Sequence, residues 1–349
     1  MDARYSRQLA LPGFGPEAQQ RLLDARVLVI GAGGLGSHVL PALAAAGVGT
    51  IGIVDDDRVE VSNLHRQLVH GTEDVGTGKA ASAGASIARL NDTVVELHEQ
   101  RLVAADALDL FARYDLVVDG SDNFPTRYLV ADAATLTGIP LVWGAVSQYG
   151  GQASTSVPGG PGYRDLFPTP PPPGSVESCE VGGVLPTTVG VIGAIMATET
   201  IKLLTGIGTP LVGRVTTYDA LGGGFRELRF AASSPAVTGL IDYDAFCGLG
   251  DSLTPVQLRD LDGVTLVDVR ETWEAEIAAL PGALLLPLGT LPEVVDRLDP
   301  DADFVVYCHH GVRSQHGLEI LRSAGLNARH LAGGIDAWAR EIDPTMARY

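Results

Sequence analysis

Cysteine is scarce: Cys179, Cys247 and Cys308 are the only three in 349 residues. They lie far apart and are odd in number, which argues against a disulfide framework and leaves reactive or simply buried thiols. Long apolar runs are also missing. No stretch reaches the ~20 residues of a membrane span, so a bilayer is not an expected partner. The opening Met1-Asp2-Ala3-Arg4-Tyr5 is polar and lacks the basic-then-apolar order of a secretory signal, which points to the cytoplasm. Positive charge is short as well: 24 Lys and Arg against 42 Asp and Glu give a formal net charge of −18. That balance disfavours non-specific binding to nucleic acid or anionic membrane, while leaving room for a local basic pocket around phosphates. What is plentiful is apolar residue, 46% against 19% charged, as in a globular protein long enough for two domains.

The first half alternates short apolar runs with helical patterns. Arg26-Val27-Leu28-Val29-Ile30, Thr50-Ile51-Gly52-Ile53-Val54, Leu116-Val117-Val118-Asp119 and Pro140-Leu141-Val142-Trp143 read as strands. Val- and Ile-rich strands separated by helices predict an α/β fold with a mostly parallel, doubly wound sheet. Between Gly159 and Ser175 the chain turns to Gly and Pro, centred on Pro170-Pro171-Pro172-Pro173, and is expected to cross the surface as a loop. A helix with small and apolar residues on nearly every face follows over Thr188 to Leu204. After the strand-like Phe225 to Phe230 comes a turn-rich stretch, which sets a domain boundary near residue 250 and divides the chain into 1–250 and 251–349. The second, smaller domain opens a fresh α/β pattern, with strands at Thr265-Leu266-Val267 and Phe304-Val305-Val306-Tyr307.

The first strand runs into Gly31-Ala32-Gly33-Gly34-Leu35-Gly36, a Gly-x-Gly-x-x-Gly turn, and Asp55 ends the next strand. Glycines let backbone approach phosphate, the helix N-terminus favours the anion, and the acid can bond a ribose hydroxyl. On that fingerprint alone an NAD-dependent oxidoreductase is a natural owner. The block after Asp55 shifts the balance, because Arg66 and Lys79 bring two cations to the loop. A hydride carrier tethered by pyrophosphate does not need them, whereas a polarised triphosphate does. Asp122, in Ser121-Asp122-Asn123 after the next long strand, faces the same crevice and suits Mg²⁺. The plainer alternatives are a solvated surface lysine at 79, a helix N-cap at Asp122 before Pro125 and, at Arg7, a surface charge.

Together with the early Arg4-Tyr5-Ser6-Arg7-Gln8, these motifs resemble the ThiF/MoeB/HesA family of ubiquitin-activating-like adenylyltransferases over most of residues 1–230. The resemblance implies that Gly31, Gly33, Gly34 and Gly36 cradle ATP, that Asp55 binds its ribose, and that Asn63, Arg66 and Lys79 contact the phosphates. It implies further that Asp122 binds Mg²⁺, that Arg7 reaches into the site of the other subunit of a homodimer, and that the substrate is the C-terminal glycine of a ubiquitin-like protein. A non-catalytic adaptor, like the inactive halves of heterodimeric activating enzymes, is a rival, disfavoured because Gly31, Asp55, Arg66, Lys79 and Asp122 all stand on one chain. Many members hold a structural zinc on two Cys-x-x-Cys pairs. Here those places read Gly162-Tyr163-Arg164-Asp165 and Asp244-Ala245-Phe246-Cys247, so no zinc is expected. Cys179, in Ser178-Cys179-Glu180-Val181-Gly182-Gly183, precedes a helix in a Gly-containing segment where a thiol can be activated and can swing. The resemblance makes it a conjugation or sulfur-relay thiol; the alternative is a buried small hydrophobe.

In the second domain Phe304-Val305-Val306-Tyr307 leads into Cys308-His309-His310-Gly311-Val312-Arg313-Ser314 and a helix. A cysteine heading a short loop at a helix N-terminus is expected to gather backbone N–H groups and Arg313 around a thiolate or persulfide. That geometry serves sulfur transfer or phosphatase chemistry. Leu266-Val267-Asp268-Val269-Arg270-Glu271 and Leu331-Ala332-Gly333-Gly334-Ile335-Asp336-Ala337-Trp338 resemble a rhodanese-type sulfurtransferase, with Asp268 and Arg270 as structural supports. An acyl-adenylate maker joined to a persulfide carrier implies a thiocarboxylate on a sulfur-carrier protein ending in Gly-Gly, as in the sulfurylases that serve molybdopterin synthase or thiamine, cysteine and tRNA thiolation. The resemblance leaves the sulfur donor as a cysteine desulfurase or thiosulfate.

Overall fold

A computed structural model describes residues 3–171, 182–247 and 252–348. These divide into two compact units, one of residues 3–170 and 182–243 and the other of Pro171 with 244–247 and 252–348. Cys179, the anticipated relay thiol, lies outside the described residues.

The first unit holds eight strands: β1 (Arg26–Ile30), β2 (Thr50–Val54), β3 (Val94–His98), β4 (Leu116–Asp119), β5 (Leu141–Ser147), β6 (Gly150–Ser156), β7 (Arg214–Asp219) and β8 (Gly224–Arg229). They form one sheet in the order β3-β2-β1-β4-β5-β6-β7-β8. From β3 to β5 neighbours run parallel, and from β5 to β8 they run antiparallel. β1, β2 and β4 bury nearly every residue, as aliphatic runs covered on both faces must. The strand order reverses between β1 and β4, and Ile30 is level with both Val54 and Asp119. The three segments that follow these residues therefore leave the sheet side by side, at the switch point where a doubly wound sheet opens a ligand crevice.

The helix Gly36–Ala46 continues through Pro41 and packs on the helix Pro186–Thr205. Val29, Leu40, Leu43, Ile53, Ile192 and Met196 belong to this core. Among the described residues the helix Pro186–Thr205 is the one long and apolar enough to cross a membrane. It instead lies against β5, β6 and the helix Gly36–Ala46. Its Glu199 is buried, where it accepts the Leu211 amide at 2.7 Å and pairs with Lys202. A carboxylate satisfied by protein groups is what an interior helix requires.

Part of the Gly- and Pro-rich stretch departs from the surface loop expected of it. Tyr163–Leu166 is a single helical turn, and the Tyr163 ring is buried edge-on against Trp143 and Tyr128. Asp165 holds the turn by accepting the Gly162 amide at 2.8 Å.

The second unit is a five-stranded parallel sheet of β9 (Ser252–Leu253), β10 (Val264–Asp268), β11 (Leu284–Leu285), β12 (Asp303–Tyr307) and β13 (Asn327–Leu331), ordered β11-β10-β12-β13-β9. Asp268 is level with Tyr307, so the loops carrying Arg270 and Cys308 emerge together. The helix Val312–Ser323 follows the second of them.

Candidate functional site

The crevice at the β1/β4 switch point is a pocket of about 500 Å³ lined by Gly31, Gly33, Gly34, Asp55, Arg66, Lys79 and Asp122 among others. Gly31 has φ +90°, and a Cβ there would stand 3.2 Å from the Gly120 carbonyl oxygen. A Cβ on Gly36 would stand 2.1 Å from the Gly31 carbonyl oxygen, so Gly36 lets the helix start directly against the loop rather than touching a ligand itself. Asp55 accepts the Ala32 amide at 2.8 Å and the Asp57 amide at 2.9 Å. Burial raises its carboxyl, while Lys79 and these two amides pull the other way.

Lys79 is only 7% exposed and bonds Asp57 Oδ2 through Nζ at 2.7 Å. Burial works against its ammonium, but Asp57, Asp55 and Asp122 together outweigh burial and hold the pKa above the ordinary lysine range. It is a charged, inward-facing cation among three acids, not a solvated surface lysine. The acid beside it is equally informative. Asn123, not Asp122, caps the helix Phe124–Thr137, its Oδ1 accepting the Thr126 amide at 2.9 Å. That leaves the exposed Asp122 carboxylate on the pocket wall. One carboxylate beside a polyphosphate is a donor set that fits Mg²⁺, which keeps several waters and takes its other ligands from phosphate.

Besides Gly36, one anticipated residue sits elsewhere. Asn63 is buried outside the pocket lining, where Oδ1 accepts the Glu60 amide at 3.2 Å. Its carbonyl accepts the amides of Arg66 and Gln67, so it builds the turn that presents them. Arg7 is exposed and outside the lining of its own chain's pocket. Conversely, Gln67 and Arg127 line the pocket without having been anticipated. Gln67 is 4% exposed and its Oε1 has no hydrogen-bond partner, leaving an acceptor to offer a ligand. Arg127 lies over the Phe124 ring, and its long bonds of 3.2 and 3.3 Å to the Ser121 carbonyl supply a further cation. Gln67 directly follows Arg66 in the same motif, and Arg127 stands one helical turn after the Asn123 cap; both positions were signals in the sequence.

In the second unit Cys308 is 1% exposed, and its Sγ accepts the Gly311 amide at 3.1 Å and lies 3.6 Å from Ser314 Oγ. Gly311 turns the loop with φ +97°. Arg313 differs from expectation. Both of its terminal nitrogens donate to the Glu274 carboxylate at 2.6 Å, so the guanidinium is held in the loop wall rather than turned onto the sulfur. Arg270 is fully buried, paired with Asp268 and donating to the Ala278 carbonyl at 2.7 Å, a supporting role as expected. His309 and His310 stack with centroids 4.0 Å apart. Burial and the neighbouring imidazole push His309 down to about 4, which leaves it neutral at physiological pH.

At the places implied for zinc, the side chains present have other partners or are buried. Asp165 gives its oxygens to the amides of Gly162, Ser233 and Ser234. Cys247 is buried, and among the described residues no group of three or more His, Cys, Asp or Glu could hold a metal. Nearby, Arg164 pairs with the buried Asp132, which also accepts the Tyr243 hydroxyl at 2.8 Å. These bonds join segments 162–167 and 231–243 to the helix Phe124–Thr137.

Residues 5–238 match the family model described as the ThiF family, and residues 255–341 match the rhodanese-like domain. A Mycobacterium tuberculosis protein named "Probable adenylyltransferase/sulfurtransferase MoeZ" is 49% identical over 99% of this chain and 95% of its own length. A Thermus thermophilus protein named "Sulfur carrier protein adenylyltransferase" is 52% identical over 70% of this chain and 96% of its own. Among solved structures, E. coli MccB matches with a TM-score of 0.61 at 21% identity, covering 68% of this chain and 72% of that one, a likeness of fold.

Proposed function

This chain belongs to the ThiF family and carries a rhodanese-like domain, and on that footing we propose that it adenylates the C-terminal glycine of a ubiquitin-like sulfur carrier and then converts it to a thiocarboxylate. It is an adenylyltransferase and a sulfurtransferase. The observation that carries the first activity is Lys79, held charged among Asp55, Asp57 and Asp122 beside the Gly-rich loop.

ATP is bound with its phosphates along Gly31, Gly33 and Gly34 and its ribose on Asp55. A carboxylate oxygen of the carrier attacks the α-phosphorus, and pyrophosphate leaves. Two anions must meet, so catalysis is mostly alignment and charge neutralisation, supplied by Lys79, Arg66 and Arg127. Magnesium held through Asp122 would supply further neutralisation of the polyphosphate. Arg7, exposed and away from its own pocket, is free to reach the site of a second copy in a homodimer.

The second half-reaction uses Cys308 as a persulfide charged by a cysteine desulfurase or by thiosulfate. The terminal sulfur attacks the acyl-adenylate carbonyl and AMP leaves, giving an acyl persulfide on Cys308. A second thiol, for which Cys179 is the candidate, attacks the Cys308 sulfur. The thiocarboxylate departs and a disulfide remains, which an external thiol reduces. The activities divide near residue 250 and operate in the cytoplasm.

Pyrophosphate–ATP exchange that requires Mg²⁺ and a carrier ending in Gly-Gly is the expected result. With a sulfur donor added, intact mass of the carrier should record one sulfur gained for one oxygen lost. NADH turnover without exchange would overturn the reading. We also propose that the protein needs no structural zinc, supported by the engaged Asp165 carboxylate and by the Arg164, Asp132 and Tyr243 bonds that tie these segments to the helix Phe124–Thr137. Metal analysis after chelation should therefore find zinc far below one equivalent with the melting temperature unchanged; equimolar retained zinc counts against it.

A further inference from the structure

His70 is 6% exposed and stands outside the lining of the nucleotide pocket, yet its ring touches the loop that forms it. Nε2 lies 2.9 Å from the Ala32 carbonyl oxygen, inside the Gly-rich turn. Nδ1 lies 2.8 Å from Ser82 Oγ, in the helix Lys79–Ala88. A carbonyl oxygen only accepts, so Nε2 carries the proton, and Nδ1 faces the Ser82 hydroxyl, which also bonds the Asp74 carboxylate. Burial, with the Lys79 ammonium nearby, holds the imidazole below its usual range against the opposing pull of the Ala32 bond and Asp74, and this favours the neutral tautomer.

Ala32 is thus gripped at both ends. Its amide donates to Asp55 at 2.8 Å and its carbonyl accepts from His70. Ser82 stands one helical turn after Lys79, so the imidazole spans the gap between the phosphate loop and the helix that carries the buried cation. The ring's own backbone is fixed by the turn that presents Arg66 and Gln67, since the His70 amide donates to the Gln67 carbonyl at 3.1 Å. Two parts of the nucleotide site converge on the His70 ring and a third holds its backbone, while the ring itself stands outside the pocket lining.

We propose that His70 is a positioning residue for adenylation, setting the distance between the Gly-rich loop and Lys79 through its bonds to the Ala32 carbonyl and the Ser82 hydroxyl. This rests on the adenylation reading. A leucine at 70 fills the space but leaves a buried carbonyl unpaired, whereas a glutamine places an amide N–H at nearly the reach of Nε2. His70→Leu should raise KM for ATP by roughly tenfold to a hundredfold, and His70→Gln should stay within about threefold of the natural enzyme. Loading of Cys308 with sulfur should be equal in both variants, which controls for the integrity of the second unit. A lowered melting temperature with an unchanged KM for ATP in His70→Leu, or equal impairment in His70→Gln, overturns the proposal. Should His70→Leu fail to fold, Ser82→Ala serves: it keeps the Nε2 bond to Ala32 while releasing the Nδ1 end, and a KM identical to that of the natural enzyme counts against the proposal. If the natural enzyme shows no exchange at all, the adenylation reading fails instead, and ATP affinity by calorimetry for the same variants still decides the role of His70.

Discussion

Lys79→Ala should reduce pyrophosphate–ATP exchange by on the order of a hundredfold to a thousandfold, the loss seen when one preorganised donor is removed from a transition state that concentrates charge. Its surroundings make the effect larger than loss of a single contact suggests. In the natural protein one ammonium offsets Asp55, Asp57 and Asp122. Without it, those carboxylates face an incoming triphosphate and a carboxylate nucleophile with less to oppose them, so binding and attack are both penalised. The fold should survive, because the Asp57 side chain is 67% exposed and can turn to water when its partner is removed. Arg66→Ala should be milder, since Arg66 is only partly buried and its Nη1 already bonds the Ser62 carbonyl at 3.1 Å. Exchange rates and thermal unfolding on the same preparations check both. Near-normal exchange in Lys79→Ala would mean that the phosphates lie elsewhere in the crevice.

Much of this site is legible in the sequence, for a reason that lies in the sheet. The aliphatic runs of β1, β2 and β4 identify central parallel strands, and parallel pairing in register delivers whatever follows each strand to one edge. Gly31, Asp55 and Asp122 therefore meet although they are far apart in sequence. In the antiparallel half of the sheet β8 was legible as the strand-like Phe225 to Phe230, but β6 was hidden, because it reads Gly-Gly-Gln-Ala-Ser-Thr-Ser and carries no apolar alternation to detect. Its two faces are completed by neighbours rather than by its own composition. Arg313 shows a second limit. The loop motif places it beside Cys308, but its partner Glu274 stands 39 residues earlier and competes for the guanidinium, which no local pattern reveals. Asn63 shows a third: a polar residue in the block after Asp55 can serve the backbone of the site instead of its ligand.

Cys308→Ala should separate the two activities. Pyrophosphate–ATP exchange should stay near the natural rate, because the thiol takes no part in attack at the α-phosphorus. Thiocarboxylate formation from a persulfide donor or thiosulfate should fall by on the order of a thousandfold or more, since the atom that carries the sulfur is gone and no neighbour in the loop can replace it. His309 and His310 bring imidazoles, not thiols, and the Gly311 amide that bonds Sγ at 3.1 Å is left with nothing to hold. Sulfide at high concentration should restore part of the product, because a small nucleophile can reach the acyl-adenylate without a carrier. Cys179→Ala should be milder, since an external thiol can resolve the acyl persulfide. Arg313→Ala should lie between them for a reason the geometry supplies. It takes away the guanidinium held by the buried Glu274 carboxylate and so loosens the wall of the loop rather than its sulfur. The discriminating measurement is exchange and carrier mass on one folded sample of Cys308→Ala: loss of exchange together with loss of thiocarboxylate would place this cysteine in the adenylation chemistry and end the division of labour argued here.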